Sequence, residues 1–269
     1  MNSIDDRIKY YEGISCSYKL YRNLPIIVRL DGRAFHTFTR SLNKPFDMPF
    51  IELMQKTAMF LAKEFNATIA YTQSDEISLI FYNNDFRSEP LFDGKLFKLN
   101  SIMASTCSVF FNRHLSSLNN KQNEMPVFDC RSFNVPSTME ACNYLIWREQ
   151  DASKNSISMA ARALYSHNAL LNLNSSQLQE LIFQKGINWN DYPSCCKRGT
   201  YIQRENKFTR FTTEELLNLP ERHEARKNPD FMVERSVYEI KVFPVLSTIE
   251  NVEDVIFYRR EPIIKAAKI

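Results

Sequence analysis

Residues 69–82 read Ile-Ala-Tyr-Thr-Gln-Ser-Asp-Glu-Ile-Ser-Leu-Ile-Phe-Tyr, two β-rich apolar runs on either side of Ser-Asp-Glu at 74–76. Such runs joined by a short polar segment are typical of a β-hairpin. A further apolar run, Pro-Ile-Ile-Val-Arg-Leu at 25–30, predicts a buried strand earlier in the chain. These three strands decide the fold and position the polar residues between them.

The segments around these strands complete the pattern. Apolar residues at helical spacing predict a helix over 49–66, a second helix is expected over 97–118, and a strand over 126–133. Ser137 and Glu140 have the spacing of a capping box and begin another helix. The order β-α-β-β-α-β followed by helices is the ferredoxin-like, or split βαβ, pattern of an α+β protein. We expect a catalytic core over 1–136 and an extension packed on it over 137–269, within one compact domain.

The composition indicates a globular protein, with 44% hydrophobic and 24% charged residues in a chain of 269. No run of 18 apolar residues occurs and the N-terminus does not resemble a secretory signal. We therefore expect no membrane partner and a cytoplasmic location, with an organelle as the open alternative. The 34 basic and 31 acidic residues give a net charge of +3, which is compatible with nucleic acid binding without requiring it.

Cysteine, histidine and glycine usage excludes several classes of site. The six cysteines form no CxxC pair, and with the four histidines they never fall at the spacing of zinc ligands. Reduced thiols in a reducing compartment are expected. The five glycines form no Gly-rich phosphate loop of the Walker or dinucleotide type.

The predicted topology brings two carboxylates together. In a split βαβ sheet the first and third strands are antiparallel neighbours, so Asp31 at the end of the first lies beside Asp75 at the start of the third. Two unit charges about 4 Å apart repel by roughly 4 kcal/mol at an effective dielectric near 20, so one carboxylate is protonated or a cation lies between them. Mg²⁺ prefers such oxygen ligands, and the carbonyl of Gly32 has no side chain to obstruct it. Ordinary turns at Asp-Gly and Ser-Asp-Glu are the alternative.

Five blocks in order resemble the tRNA-histidine guanylyltransferase superfamily, the 3′–5′ RNA polymerases. They are Arg-Leu-Asp-Gly-Arg-Ala-Phe-His at 29–36, Tyr-Thr-Gln-Ser-Asp-Glu-Ile-Ser at 71–78, Phe-Asp-Cys-Arg at 128–131, Trp-Arg-Glu-Gln-Asp at 147–151 and Lys-Arg-Gly-Thr at 197–200. The resemblance covers residues 26–200 and implies a core like the palm of ordinary polymerases.

The resemblance also implies the site residues. Asp31, the Gly32 carbonyl and Asp75 would bind two Mg²⁺, with Glu76 as a third catalytic residue that supports the site electrostatically. The nucleotide would be contacted by Arg33, Ala34, Phe35, His36, Lys44, Asp47 and Ser74. A second triphosphate or the RNA 5′ end would be held by Lys95, Lys98, Arg131, Asn155 and Arg198. The alternatives are a core position for the ring of Phe35 and a solvated helix face for Lys95 and Lys98.

The implied reaction is nucleotide addition to the 5′ end of tRNA, with ATP and GTP or another NTP as substrates and a homotetramer, a dimer of dimers, as the assembly. Eukaryotic guanylyltransferases carry His-x-x-Asn-Leu-x-Asn after the fourth block, whereas residues 151–158 here read Asp-Ala-Ser-Lys-Asn-Ser-Ile-Ser. This departure favours the guanylyltransferase-like branch, which adds nucleotides to truncated tRNA by copying a template after ATP-dependent 5′-adenylylation. Non-templated addition of one guanosine to tRNA-histidine is the alternative.

Two other functions share the predicted topology. One is a nucleotide cyclase, which strict dependence on RNA would exclude. The other is a non-catalytic RNA-binding module, which is disfavoured because the first strand lacks a platform aromatic and the third lacks the Arg/Lys-Gly-Phe-Gly-Phe pattern. The basic stretch at 197–210 is either an RNA-backbone surface or a solvated strand face.

Overall fold

The computed structural model describes residues 3–85, 87–228 and 230–266. Six strands are present in these ranges: β1 (Ile26–Gly32), β2 (Ile69–Gln73), β3 (Glu76–Phe81), β4 (Phe128–Asn134), β5 (Thr200–Arg210) and β6 (Met232–Lys241). They form one sheet in the order β4-β1-β3-β2-β5-β6, and every neighbouring pair is antiparallel. The fold is therefore mixed, with helices around an antiparallel sheet, as the sequence predicts.

Helices connect and cover these strands. They are α1 (Ile4–Cys16), α2 (Phe35–Phe38), α3 (Met48–Glu64), α4 (Leu96–Arg113), α5 (Thr138–Leu164), α6 (Ser175–Gln184), α7 (Ser194–Lys197), α8 (Thr213–Asn218) and α9 (Val252–Tyr258). The helix predicted over 97–118 ends at Arg113 and continues only as a separate 3-10 turn, Leu115–Ser117. No described helix combines the length and apolar character needed to cross a bilayer.

The start of α5 shows half of the predicted capping box. The Ser137 hydroxyl accepts a hydrogen bond from the backbone N–H of Glu140 at 3.2 Å, as expected for an N-cap. The Glu140 carboxylate does not return a bond to Ser137 and instead accepts one from Asn143 Nδ2 at 2.8 Å. The helix begins where the sequence predicts, with one reciprocal bond fewer.

Both faces of the sheet are buried, which explains why its central strands are continuous apolar runs. Alternate residues of β1 point to opposite sides: Val28 packs in a core with Leu53 of α3, whereas Ile27 packs in a separate core with Leu145 of α5. The second core also includes Val255 of α9. The segment after residue 136 thus supplies two strands of the sheet and the cover of one face. The proposed boundary at 136/137 stays a prediction.

Candidate active site

The ends of β1 and β3 meet at one edge of the sheet. Asp31 is paired in register with Glu76, and the Gly32 backbone N–H donates to the Asp75 carbonyl at 3.1 Å. Ser74, in the left-handed conformation with a φ of 49°, turns the chain between β2 and β3. The predicted juxtaposition of Asp31 and Asp75 is confirmed, because both line the same cavity of about 620 Å³.

The cavity lies between the sheet edge and three helical segments. One wall follows β1 and includes His36 of α2 and Lys44 of the loop that precedes α3. The opposite wall is a face of α5. That face contributes Arg148, Asp151, Asn155, Ser158 and Arg162. Cys195 and Cys196 of α7 close the remaining side. A volume of this size falls in the range of small-molecule and cofactor sites, about 300–1,000 Å³.

The acidic side chains of this edge carry an electrostatic cost. Burial is the main cause that raises the pKa of Asp75 above its ordinary value, and the neighbouring charge of Asp31 adds to the rise. Hydrogen bonds from its own backbone and from Ser74, together with the charge of His36, oppose it. An ionised Asp75 is therefore stabilised by any cation that enters between the two carboxylates.

Glu76, unlike Asp75, is paired with arginine side chains. Burial raises the pKa of its carboxyl group, while the charges of Arg148 and Arg29 act against that rise. Arg148 binds both carboxylate oxygens, and Arg29 Nε lies 3.8 Å from Oε2. Since its oxygens are occupied by guanidinium groups, Glu76 supports the site electrostatically and is not free to ligate an ion.

The donor set fits a magnesium ion that is shared with a substrate. Among the described residues no group of three or more His, Cys, Asp or Glu side chains is arranged to hold a metal by itself. Mg²⁺ is usually held by one or two carboxylates plus substrate phosphates, rather than by a cage made only of protein ligands. Asp31, Asp75 and the Gly32 carbonyl meet that requirement because all three are oxygen donors at one edge.

Gly32 is required by packing at this edge. A Cβ atom at this position would lie 2.3 Å from Cδ2 of Phe35, far inside van der Waals contact. Phe35 cannot easily move, because its ring is only 2% exposed and packs against Phe38, Phe50 and Phe128. The alternative role for Phe35 is therefore the correct one. Its ring belongs to the core, although the residue also borders the cavity.

Of the other residues expected to contact the nucleotide, some line the cavity and others do not. His36, Lys44, Asp47 and Ser74 all line the cavity. The Asp47 carboxylate is already used as the N-cap of α3, accepting from Phe50 N at 2.9 Å and from Asn43 N at 3.0 Å. Arg33 and Ala34 are exposed and are absent from the cavity wall, so only their backbone helps to shape the turn into α2.

Of the five residues expected to hold a second triphosphate or the RNA 5′ end, Asn155 alone lines the cavity. Phe128, which pairs with Gly32, donates from its backbone N–H to Ser108 Oγ at 3.0 Å, so the C-terminal half of α4 lies beside the carboxylate edge. Lys98 precedes Ser108 by ten residues, or about 15 Å of helix. Lys95 and Lys98 therefore lie toward the other end of the sheet, away from the carboxylates, and their role toward a second triphosphate or the RNA 5′ end stays a prediction.

The other three residues of that set have separate surroundings. Arg198 is engaged in an internal ion pair, with Nη1 3.2 Å from Glu149 Oε1, and its role as a phosphate ligand stays a prediction. Arg131 is half exposed and lies 3.2 Å from Asp129 and 3.9 Å from Asp31, so its role as a phosphate ligand stays a prediction. Asn155 lines the cavity and donates to Asp151 Oδ2 at 3.1 Å.

Sequence reasoning missed the face of α5. Arg148, Asp151 and Arg162 line the cavity, yet none was predicted as a site residue. Their positions together with Asn155 and Ser158 fall three or four residues apart, which places them along one side of a helix. That spacing was readable in the sequence, but the element against which the face packs was not.

Comparison with known proteins supports the geometry. The model of the tRNAHis guanylyltransferase family matches residues 5–136. The chain is 29% identical over 224 residues to the tRNA(His) guanylyltransferase of Debaryomyces hansenii, a match that covers 76% of this chain and 82% of that protein. Residues 5–136, which the family model matches, include both acidic segments of the sheet edge.

Two solved structures resemble the fold of this chain. A bacterial tRNA(His) guanylyltransferase-like protein in complex with ATP is 41% identical, with a TM-score of 0.71 over 75% of this chain and 88% of that one. A bacterial protein of the same description in complex with GTP is 34% identical, with a TM-score of 0.73 over 95% of this chain and 100% of that one. The chain belongs to the tRNAHis guanylyltransferase family of nucleotidyltransferases.

Proposed function

We propose that this protein extends the 5′ end of tRNA in the 3′–5′ direction by copying a template. The observation that carries the proposal is the meeting of Asp31 and Asp75 at one sheet edge, inside a cavity large enough for a nucleoside triphosphate. The strand order β4-β1-β3-β2 is that expected of a ferredoxin-like polymerase palm. Nucleotide substrates are supported by the two similar bacterial proteins that were solved with ATP and with GTP.

The proposed reaction has two transfers. In the first, the 5′-monophosphate of the RNA attacks the α-phosphate of ATP, forming a 5′-adenylylated end and releasing pyrophosphate. In the second, the 3′-hydroxyl of the incoming NTP attacks the activated 5′-phosphate and AMP leaves. An RNA that already carries a 5′-triphosphate skips the first transfer and releases pyrophosphate in the second. Neither transfer needs a protein nucleophile, so no such role is assigned to Ser74 or Cys195.

The side chains of the cavity divide this work. Lys44, His36 and Arg162 bring positive charge or hydrogen-bond donors to the wall, where the phosphates of the substrates bind. Asp31, Asp75 and the Gly32 carbonyl would hold two Mg²⁺ ions, which when bound lower the pKa of the attacking hydroxyl and neutralise charge on the leaving group. Arg148 fixes Glu76 beside this site and prevents a third free carboxylate from entering it.

Template dependence is proposed on two grounds. Residues 151–158 lack the His and Leu of the eukaryotic guanylyltransferase block, and this segment lies on α5 in the wall of the cavity. The chain is also 41% and 34% identical to the bacterial guanylyltransferase-like structures solved with ATP and with GTP.

The test uses a 3′-labelled tRNA transcript that lacks its first 5′ nucleotide and carries a 5′-monophosphate, with ATP, all four NTPs and Mg²⁺. Four versions differ only in the nucleotide opposite the missing position. We expect the added nucleotide to be the complement in each version. Addition of guanosine in all four would instead support the non-templated alternative. No addition in any version, with ATP left intact, would refute the proposed activity.

A further inference from the structure

A second cavity of about 470 Å³ lies at the opposite end of the sheet from the carboxylates. Its floor includes Ile26 and Phe81, which pair with each other where β1 begins and β3 ends. Asp31 lies five positions after Ile26 on β1, or about 17 Å of strand. The two cavities share no lining residue, so this one is a separate feature of the fold.

Positive charge dominates this second cavity. Arg22, Arg204 and Arg259 line it, whereas Glu89 is the one carboxylate among the described residues of its wall. Glu89 lies 3.3 Å from Arg22 Nη2 and leaves the other two arginines without an acidic partner within the described ranges. An excess of guanidinium groups around a cavity attracts an anion.

Arg204 of β5 and Arg259 at the end of α9 come from distant segments and line the same cavity. Arg204 lies opposite Tyr238 in the β5–β6 ladder, and its Nη1 donates to Asn66 Oδ1 at 2.9 Å. The same Asn66 oxygen accepts a hydrogen bond from the Tyr238 hydroxyl at 3.3 Å. Burial raises the pKa of Tyr238, and the charges of Arg204 and Arg259 act against that rise.

The wall away from the arginines carries aromatic and polar groups of the kind that contact a base and a ribose. Tyr82 and Phe257 form an aromatic side, with ring centroids 5.5 Å apart at an interplanar angle of 78°. Asn23 also lines the cavity, and its Oδ1 is buried with no hydrogen-bond partner among the described residues. Both the volume and the mixture of polar and aromatic groups are those of a small-molecule site.

We propose that this cavity binds the phosphate of one nucleotide unit through Arg204 and Arg259, apart from the carboxylate cavity. The planar guanidinium fork matches the geometry of phosphate oxygens. The nucleotide is either free or part of an RNA chain that also reaches the carboxylate edge. The binding proposed here does not rest on the reaction proposed above. Lys95 and Lys98, expected to hold phosphate on the basis of the family resemblance, do not line this cavity.

The test compares the double variant Arg204→Ala/Arg259→Ala with Arg210→Ala/Arg222→Ala, which removes the same charge outside the cavity. Because Arg210 lies in the basic stretch at 197–210 and pairs with Asp230, a second control, Arg7→Ala/Arg222→Ala, removes the same charge from exposed positions outside both the cavity and that stretch, and it is the reference for tRNA binding. In one arm, equilibrium dialysis counts labelled ATP bound per chain. In the other, fluorescent tRNA is titrated at several salt concentrations. Thermal melting of every variant monitors folding. Arg259 is exposed and makes no side-chain hydrogen bond in the described chain, so the single variant Arg259→Glu serves if the double variant unfolds.

A free nucleotide as ligand predicts one ATP fewer per chain in the cavity variant than in the control. RNA as ligand predicts unchanged ATP stoichiometry, with tRNA affinity at least tenfold weaker than in the control and a salt slope shallower by about 0.7–0.9 for each lost phosphate contact. Either result supports the site and identifies the source of the phosphate. Equal behaviour of the cavity variant and the control in both arms overturns the proposal, whatever the outcome of the activity assay.

Discussion

Arg148 of α5 donates hydrogen bonds to both carboxylate oxygens of Glu76 on β3, with Nε 2.7 Å from Oε1 and Nη2 2.8 Å from Oε2. Both side chains are buried, at 6% exposure each. The guanidinium also lies 3.2 Å from Asp151 and over the ring of Trp147. The acidic edge of the sheet is thus tied to a helix that begins after residue 136, and the site needs both parts of the chain.

Arg148→Gln should destabilise the protein strongly, because it leaves the Glu76 carboxylate buried without its partner. Loss of one member of a buried ion pair costs about 3–5 kcal/mol. Glu76→Gln should have a comparable effect for the converse reason, and the double variant should lose less than the sum of the two. Urea denaturation of all four proteins measures the coupling. Additive losses would mean that the bidentate pair does not form in solution.

Asp31→Asn and Asp75→Asn should each reduce nucleotide addition by at least about a hundredfold, the usual cost of removing a group that stabilises charge in a transition state. Folding should be retained, since neither side chain is part of the apolar core. Single-turnover assays on labelled tRNA with Mg²⁺ measure the loss. Asp129→Asn is the matched control, because Asp129 pairs with Asp31 across β4 and β1 but does not line the cavity. Near-normal turnover in either cavity variant would remove the basis of the catalytic assignment.

Asp75→Asn should also raise the stability of the metal-free protein at neutral pH. Burial, and secondarily the charge of Asp31, raises the pKa of Asp75 in the folded state. The folded state therefore binds this proton more tightly than the unfolded state, so the stabilisation from Asp75 is complete below the unfolded pKa, about 3.9. It is lost as the pH rises through the higher folded pKa, and above that the ionised carboxylate is a net cost that asparagine avoids.

Thermal melting in chelator from pH 4 to pH 8 provides the measurement. The gap between Asp75→Asn and the unmodified protein should be smallest near pH 4 and widest at pH 7 to 8. Addition of Mg²⁺ should raise the melting temperature of the unmodified protein more than that of the variant, because a ligand that binds only the folded state stabilises it. An unmodified protein that is the more stable of the two at pH 7 without metal would contradict this prediction.

The carboxylate edge could be predicted from the sequence because it depends on strand order alone. Once β1 and β3 are antiparallel neighbours, Asp31 and Asp75 must lie at the same end, whatever the side-chain packing. The bounds of α3 and α5 were similarly accessible, since Asp47 and Ser137 act as local N-caps. Local and topological features of this kind need no knowledge of how distant segments pack.

Packing between distant segments could not be predicted in the same way. Lys95 and Lys98 were assigned by resemblance without knowing which end of α4 lies beside Asp31. Arg198 reads as a free cation in the sequence, but Glu149, 49 positions away, neutralises it. Phe35 adjoins the metal motif yet completes a cluster of aromatic rings from four segments. The homotetramer and the cytoplasmic location stay predictions.

Gly199→Ala should lower the stability of the protein by more than the cost of placing alanine at a positive φ, because the added Cβ atom also meets the cavity wall. Gly199 has a φ of +80°, and a Cβ there would lie 2.6 Å from Tyr71 Oη and 2.7 Å from the Thr72 carbonyl oxygen. Gly186 has nearly the same φ, +77°, but open space around its Cβ, so Gly186→Ala isolates the backbone term, about 1–3 kcal/mol. Urea denaturation should show a larger loss for Gly199→Ala, because the Tyr71 hydroxyl must leave the Arg198 carbonyl that it binds at 2.7 Å. Equal losses of stability in the two variants would show that Tyr71 and Thr72 can move away from the new Cβ atom without an energetic cost.

Arg162→Ala should weaken substrate binding while leaving the fold intact. Arg162 lines the cavity on the same face of α5 as Asn155, is exposed, and lacks an acidic partner in the described chain. Arg148, by contrast, is neutralised by Glu76 and Asp151, so Arg162 on this wall and Lys44 on the opposite wall are the cations of the cavity still available to phosphate. A hydrogen bond to a charged group contributes about 1.5–3 kcal/mol, which corresponds to roughly 10- to 150-fold in affinity.

Lys154→Ala is the matched control for Arg162→Ala, because Lys154 is exposed on α5 but is absent from the cavity wall. The KM for NTP or the Kd for 5′-phosphorylated tRNA should rise at least tenfold in Arg162→Ala and stay within about twofold in Lys154→Ala. Melting temperatures of both should match that of the unmodified protein, since neither side chain is buried. If both variants bind both substrates normally, the phosphates lie along the opposite wall, and Lys44 becomes the residue to replace next.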